Sequence, residues 1–146
     1  MTILIINGPN LNLLGIREVE LYGHSTYQDL ETFLKRHAEA LDIKIEIHQT
    51  NFEGIVIDLM HYALHKSYDG IIVNAAALSH YSYAIYDAIK AIPIPVISVH
   101  LTDPEKRDES FRHRDVIAPA CVTTYKGHGF DSYRLALEHL AKEVTS

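Results

Sequence analysis

Apolar residues recur along this chain in two rhythms. Ile3, Leu4, Ile5 and Ile6 form a short continuous run that stops at Asn7-Gly8-Pro9-Asn10, as a buried parallel strand ending in a polar turn does. A long loop follows, rich in glycine and asparagine and carrying Arg17 and Tyr22. Ser25 with Gln28 three residues on reads as a capping box. Leu30, Phe33, Leu34, Ala38 and Leu41 then recur at helical spacing, which predicts a helix over 26–41 with one buried stripe. Ile43, Ile45 and Ile47 alternate with Lys44, Glu46 and His48, the pattern of an edge strand with one wet face. Gln49-Thr50-Asn51 turns the chain into a helix expected over 53–66, through Ile57, Met60 and Leu64. The run from Gly70 to Asn74 is a short central strand, and Ala75 to His80 a small-residue loop. A helix over 82–91, a central strand from Val96 to Val99 ending at His100, and a charged loop over 102–115 come next. The apolar run 116–123 is expected to hold the last strand, and 132–144 the closing helix.

Strand and helix alternate throughout, which predicts a parallel sheet with helices on both faces. Five strands suit a flavodoxin-like three-layer α/β sandwich of strand order 2-1-3-4-5, with residues 1–146 as a single domain. In that order the connections leave strands one and three in opposite directions, and ligands bind in the crevice at their carboxyl ends. The loops 7–24, 74–80 and 100–115 surround that crevice and hold most of the polar residues that the helices and strands do not explain.

Composition narrows the function. The 146 residues suffice for one core, and a net charge of −6 argues against a nucleic-acid partner. The solitary Cys121, set in an apolar run, excludes an internal disulfide, fits a reducing compartment and reads as a core residue. No apolar segment approaches a membrane span and no basic flank precedes the first apolar run, so the expected location is cytoplasmic, without a membrane partner. The ten histidines are scattered, and the pair His61 and His65 has no third ligand nearby in the sequence, so no metal is expected.

The crevice loops lack a phosphate-binding glycine pattern, a nucleophile elbow and a receiver-type acidic cluster. Asparagine, histidine, arginine and tyrosine converge instead, a set suited to an anionic, hydroxyl-rich small molecule and to proton transfer without a cofactor. Arg17 and Tyr22 share one loop. A guanidinium beside a phenol lowers its pKa by roughly 1–3 units and favours the phenolate; the alternative is a surface tyrosine with an unrelated arginine. His100, at the end of a central strand, is either a general acid or a cap for a strand carbonyl. His80 carries the same two readings. Arg112 is a candidate carboxylate clamp or a solvated loop arginine. Asp87 is an exposed helical carboxylate unless a partner subunit approaches it.

Several separated motifs resemble one family. They are Asn7-Gly8-Pro9-Asn10-Leu11, Leu14-Gly15, Arg17-Glu18 and Tyr22-Gly23 in the first loop; Gln49-Thr50-Asn51 with Glu53-Gly54 and Ile57-Asp58; Asn74, Ser79-His80, Ser82, Ala84-Ile85 and Asp87; Pro95-Val96-Ile97 with Val99-His100-Leu101; Phe111-Arg112-His113 and Val116-Ile117-Ala118-Pro119; and Tyr133 with Leu135-Ala136-Leu137-Glu138. In this order they resemble the type II 3-dehydroquinate dehydratases (type II dehydroquinases). The resemblance implies a lyase that eliminates water from 3-dehydroquinate to give 3-dehydroshikimate, in the shikimate pathway of aromatic amino-acid biosynthesis or in quinate catabolism, with no metal or cofactor. It implies Tyr22 as the phenolate that removes the C2 proton, with Arg17 holding it ionised and closing over the substrate. Asn10 then positions a water at the enolate, and His100 protonates the departing C1 hydroxyl. Asn74, His80, Arg112 and the amides of Leu101 and Thr102 hold the carboxylate and hydroxyls, and Asp87 reaches a neighbouring subunit in a dodecamer built as a tetramer of trimers.

The chain departs from the family pattern at named places. Ser98 stands where a glutamate usually precedes the acid histidine by two residues, on the same side of the strand. Ala75-Ala76-Ala77 replaces a glycine-containing loop, Tyr86 replaces an arginine, and the stretch from Asp103-Pro104 to Phe111 is one residue longer. Residues 122–129 add a charged, histidine-bearing turn. Two readings from other classes stand beside the enzyme: a small-anion binding or signalling module, and a metal-dependent hydrolase. The first predicts binding without turnover, the second sensitivity to chelators.

Overall fold

The structure, a computed structural model, describes residues 1–145, with side chains through 143. Five parallel strands make one sheet in the order β2-β1-β3-β4-β5, as the alternation of elements predicts. They are β1 Thr2–Asn7, β2 Lys44–Gln49, β3 Gly70–Asn74, β4 Val96–His100 and β5 Thr123–Lys126. Among the described residues the α-helices are α1 Val19–Tyr22, α2 Tyr27–Ala40, α3 Glu53–His65, α4 Tyr83–Lys90 and α5 Asp131–Thr145. Among the described residues no helix is long and apolar enough to cross a membrane.

Strand pleating sorts the core into two layers. Ile3 and Ile5 of β1, with Ile72, Ile97 and Val99, pack against Leu30 and Leu34 of α2 and Tyr133, Ala136, Leu137 and Leu140 of α5. The intervening Leu4 and Ile6, with Ile71, Val73 and Val96, meet Val56 and Met60 of α3 and Ile85 and Ile89 of α4. Because β1, β3 and β4 are covered on both faces, they read as largely apolar runs, broken within β4 only by Ser98. Each such leucine or isoleucine contributes about 1.5–3 kcal/mol relative to exposure.

Several boundaries differ from expectation. The cap of α2 is Thr26, one residue later than expected: its hydroxyl accepts from the Asp29 amide, and the Asp29 carboxylate accepts from the Thr26 amide. Leu41 lies past the end of that helix and is exposed. The buried stripe of α3 runs through Val56, Met60 and Ala63, leaving Leu64 exposed. The largest correction concerns the last strand. Residues 116–122 are not part of a strand: Asp115 Oδ1 accepts from the amides of Ile117 and Ala118, and a 3-10 turn spans Ala118–Ala120 with Pro119 inside it. A proline has no N–H to donate to a ladder. Pairing instead begins at Thr123, opposite Ile97. Cys121 is only partly buried against the α3–α4 layer.

Candidate active site

The carboxyl ends of β1 and β3 lie side by side, with Asn7 opposite Asn74. Gly8 continues β1 by donating its amide to the Asn74 carbonyl at 2.8 Å. A Cβ at Gly8 would come within 2.8 Å of the Ala75 carbonyl oxygen, so only glycine lets the two loops diverge from so close an approach. Asn10 takes a left-handed backbone (φ 70°), which asparagine tolerates, and its amide donates to Asn51 Oδ1 at 3.0 Å. Gln49 donates to both Asn51 Oδ1 and the Gly8 carbonyl, so the turn after β2 buttresses the loop after β1.

Beneath the crevice lies a buried polar floor. Tyr133 of α5 donates its hydroxyl to Asn7 Oδ1 at 2.6 Å and accepts from Asn74 Nδ2 at 2.9 Å. Asn74 Oδ1 accepts from the Ala76 amide at 3.2 Å. Burial pushes the Tyr133 phenol well above its ordinary range, against the opposing bond from Asn74, so it stays a neutral donor. Asn74 is thereby held rigidly, with one N–H and one lone pair still to offer.

Above this floor the three loops enclose a cavity of about 120 Å³. Asn10, Arg17, Tyr22, Asn74, His80, His100, Leu101, Thr102 and Arg112 all line it, which brings together every site residue expected from the sequence except Asp87. Asp87 is exposed on α4. Tyr22 ends α1, a single turn reached through Gly15 and Glu18, both with left-handed backbone (φ 83° and 41°). Arg17 stacks with its Cζ 5.0 Å from the Tyr22 ring centre and pairs with Glu18 at 2.5 Å. The guanidinium that reaches the phenol oxygen is a different one: Arg107 Nη1 donates to Tyr22 Oη at 3.0 Å. Arg107 also stands 3.6 Å from Glu18 and is largely buried, and its carbonyl accepts from His113 Nε2.

On the opposite wall His80 donates from Nδ1 to the Arg114 carbonyl at 2.8 Å, which leaves Nε2 as an acceptor. Burial lowers the His80 pKa, more than that carbonyl raises it, so the ring favours its neutral form. Phe111 packs edge-on against it and carries Arg112 on its other contact, with the Arg112 guanidinium 4.8 Å from the Phe111 ring centre. His100 lies buried at the end of β4, with Nε2 3.4 Å from Asp115 Oδ2. Three arginines thus border one small cavity with two histidines and a phenol, which suits an anionic substrate and proton transfer in both directions. Reasoning from sequence missed Arg107, Asp115 and Tyr133 as parts of this arrangement.

The family model of class II dehydroquinases matches residues 1–141. The chain belongs to that family. Relatives share its full length: a 3-dehydroquinate dehydratase of Clostridium perfringens (strain SM101 / Type A) is 47% identical, over 100% of this chain and 99% of that protein. Another, from Caldicellulosiruptor bescii, is 50% identical over 97% of each chain. The crystal structure of a type II dehydroquinase from Butyrivibrio crossotus superposes with a TM-score of 0.94 at 41% identity, covering 96% of this chain and 97% of that one. Within this dehydroquinase, Ser98 lies on β4 with its hydroxyl buried and, among the described residues, unpaired.

Proposed function

We propose that Tyr22 and His100 form the base and acid of a water elimination in the cavity at the carboxyl end of the sheet. The chain is a type II 3-dehydroquinate dehydratase, a hydro-lyase whose general role lies in the shikimate pathway. The observation that carries the assignment of roles is that one cavity gathers the phenol, both histidines and three guanidinium groups from three separate loops.

In this reading Tyr22 acts as phenolate and removes the C2 proton of 3-dehydroquinate. A charged donor, Arg107 Nη1, reaches its oxygen, while Arg17 covers the ring face. The electron pair moves onto the ketone oxygen as an enolate, and Asn10 holds a water against it. Fixed dipoles help most at an atom where charge develops. His100 then protonates the C1 hydroxyl, which leaves as water, and the enolate collapses to the enone 3-dehydroshikimate. The neutral His80 offers Nε2 to a substrate hydroxyl. Asn74, Arg112 and the amides of Leu101 and Thr102 take the carboxylate and the remaining hydroxyls. No cofactor or metal enters these steps.

The catalytic unit in this reading is one flavodoxin-like domain over 1–146, working in the cytoplasm as a dodecamer of four trimers. Exposed Tyr83 on α4 and Tyr81 just before it lie near Asp87 in the chain and supply apolar surface for a neighbour. Asp87 then faces the adjoining subunit's cavity.

Metal-free protein mixed with 3-dehydroquinate is expected to generate the ultraviolet absorbance of an enone, and Tyr22→Phe to abolish it with the fold retained. Full activity in that variant rejects the assignment of the base. A monomeric mass in analytical ultracentrifugation rejects the assembly.

A further inference from the structure

Ser98 and His100 sit two residues apart on β4, so the strand turns both side chains to one face. Ser98 is fully buried and its hydroxyl finds no partner among the described residues, so β4 itself supplies no charge to orient the imidazole. The carboxylate next to the ring comes from the far end of the following loop. Asp115 Oδ1 accepts from the Ile117 amide at 3.1 Å and the Ala118 amide at 3.0 Å, two bonds that fix its plane. Its second oxygen, Oδ2, is thereby presented to His100 Nε2 at 3.4 Å. That distance lies just beyond the usual range of an N–H···O bond, and catalytic hydrogen bonds often tighten only in the transition-state complex.

We propose that Asp115 is the positioning residue for the acid histidine in this chain, a carboxylate that receives His100 Nε2–H, fixes the ring's tautomer and leaves Nδ1 to deliver the proton. The proposal rests on the reading of His100 as the acid. Burial pushes the Asp115 carboxyl up, but the bonds from His100 and from the amides of Ala118 and Ile117 outweigh it and hold the group below its ordinary value. An ionised Asp115 is therefore on hand to stabilise the imidazolium. In the elimination the proton on Nδ1 passes to the C1 hydroxyl oxygen as the C1–O bond breaks and its electron pair leaves with the water. The enolate electrons form the C1–C2 double bond and restore the ketone, and the imidazolium becomes a neutral ring with its remaining proton on Nε2 toward Asp115. Tyr22 keeps the proton taken from C2 until solvent returns the balance to the ring. The carboxylate that the family pattern leads one to expect at position 98 has in effect moved to position 115.

The test is ring-nitrogen NMR on the wild-type protein labelled with 15N-histidine, paired with kinetics of Asp115→Asn. The asparagine keeps an oxygen for the Ile117 and Ala118 amides but cannot accept Nε2–H. We expect neutral His100 in the Nε2–H form in the wild type, and loss of that preference in the variant. We also expect kcat to fall about 10- to 100-fold with KM within about threefold, and Asp115→Glu to recover part of the loss. An Nδ1–H ring in the wild type overturns the proposal and needs no variant. So does a kcat within twofold in folded Asp115→Asn, or a loss confined to KM. A wild-type protein with no turnover would instead overturn the reading of the site, and the tautomer measurement would still decide the contact.

Discussion

Arg107 donates from Nη1 to the phenol oxygen of Tyr22 across 3.0 Å, joining residues 85 apart in the chain. Such a bond from a charged group carries about 1.5–3 kcal/mol. Arg107→Leu is therefore expected to lower kcat/KM roughly 10- to 100-fold. Tyr22→Phe should lower it by about 10²–10⁴ as a general base does. Because Arg107 acts through that oxygen, the double variant should be no slower than Tyr22→Phe alone; strictly additive losses in steady-state kinetics would refute the link.

Tyr133→Phe deletes one hydroxyl and leaves Asn7 Oδ1 and Asn74 Nδ2, both on buried side chains, without that partner. The expected loss is about 1–3 kcal/mol, seen as a fall of roughly 2–12 °C in thermal midpoint for a domain of this size. An unchanged midpoint would mean that water takes the hydroxyl's place without cost.

Asp115 also sets a pH dependence of stability. Its folded-state pKa is depressed, so its contribution is complete above the ordinary carboxylate value and is lost as pH falls through the folded one. Between about pH 5 and pH 2 the wild type should therefore lose more stability than Asp115→Asn. Chemical denaturation at several pH values measures both, and parallel curves would contradict the shift.

Burial pushes the Cys121 thiol up to about 12, with the Asp115 charge adding to it. At pH 8 its thiolate fraction is then about a thousandfold below that of an ordinary cysteine with a pKa near 8.5. Iodoacetamide should modify the folded protein correspondingly slowly, and urea should restore the ordinary rate. Fast alkylation of the native protein would rule out a protected thiol.

Gly8→Ala forces a Cβ to within 2.8 Å of the Ala75 carbonyl, a backbone atom that cannot swing aside. The expected cost is about 1–3 kcal/mol, together with a shift of the β1 and β3 loops that raises KM. Titration with urea and steady-state kinetics on the same preparation test both effects.

What the sequence disclosed follows from how strongly each position is constrained by burial. Ile71, Ile72 and Val73 lie between two helical layers, so their strand was visible as an apolar run. Thr123 to Lys126 form a half-exposed edge whose mixed residues carry no such signal, while the more apolar stretch before them folds as a turn around Pro119. The cavity residues at strand ends, such as Asn74 and His100, were legible because topology directs them to the crevice. Arg107 and Asp115 were not, because the loop that bears them holds many charges with no periodicity. Which of those charges turn inward is decided by contacts with Tyr22 and His100 that only the folded chain makes.

The hydroxyl that completes the polar floor belongs to a residue 126 positions beyond the asparagine it binds. A ribosome must consequently release nearly the whole polypeptide before the amides of Asn7 and Asn74 find their shared partner. Nascent chains still lacking Tyr133 hold the first and third strands without the clasp between them. The clasp that ties the ends of the first and third strands together therefore closes only once the last helix is in place.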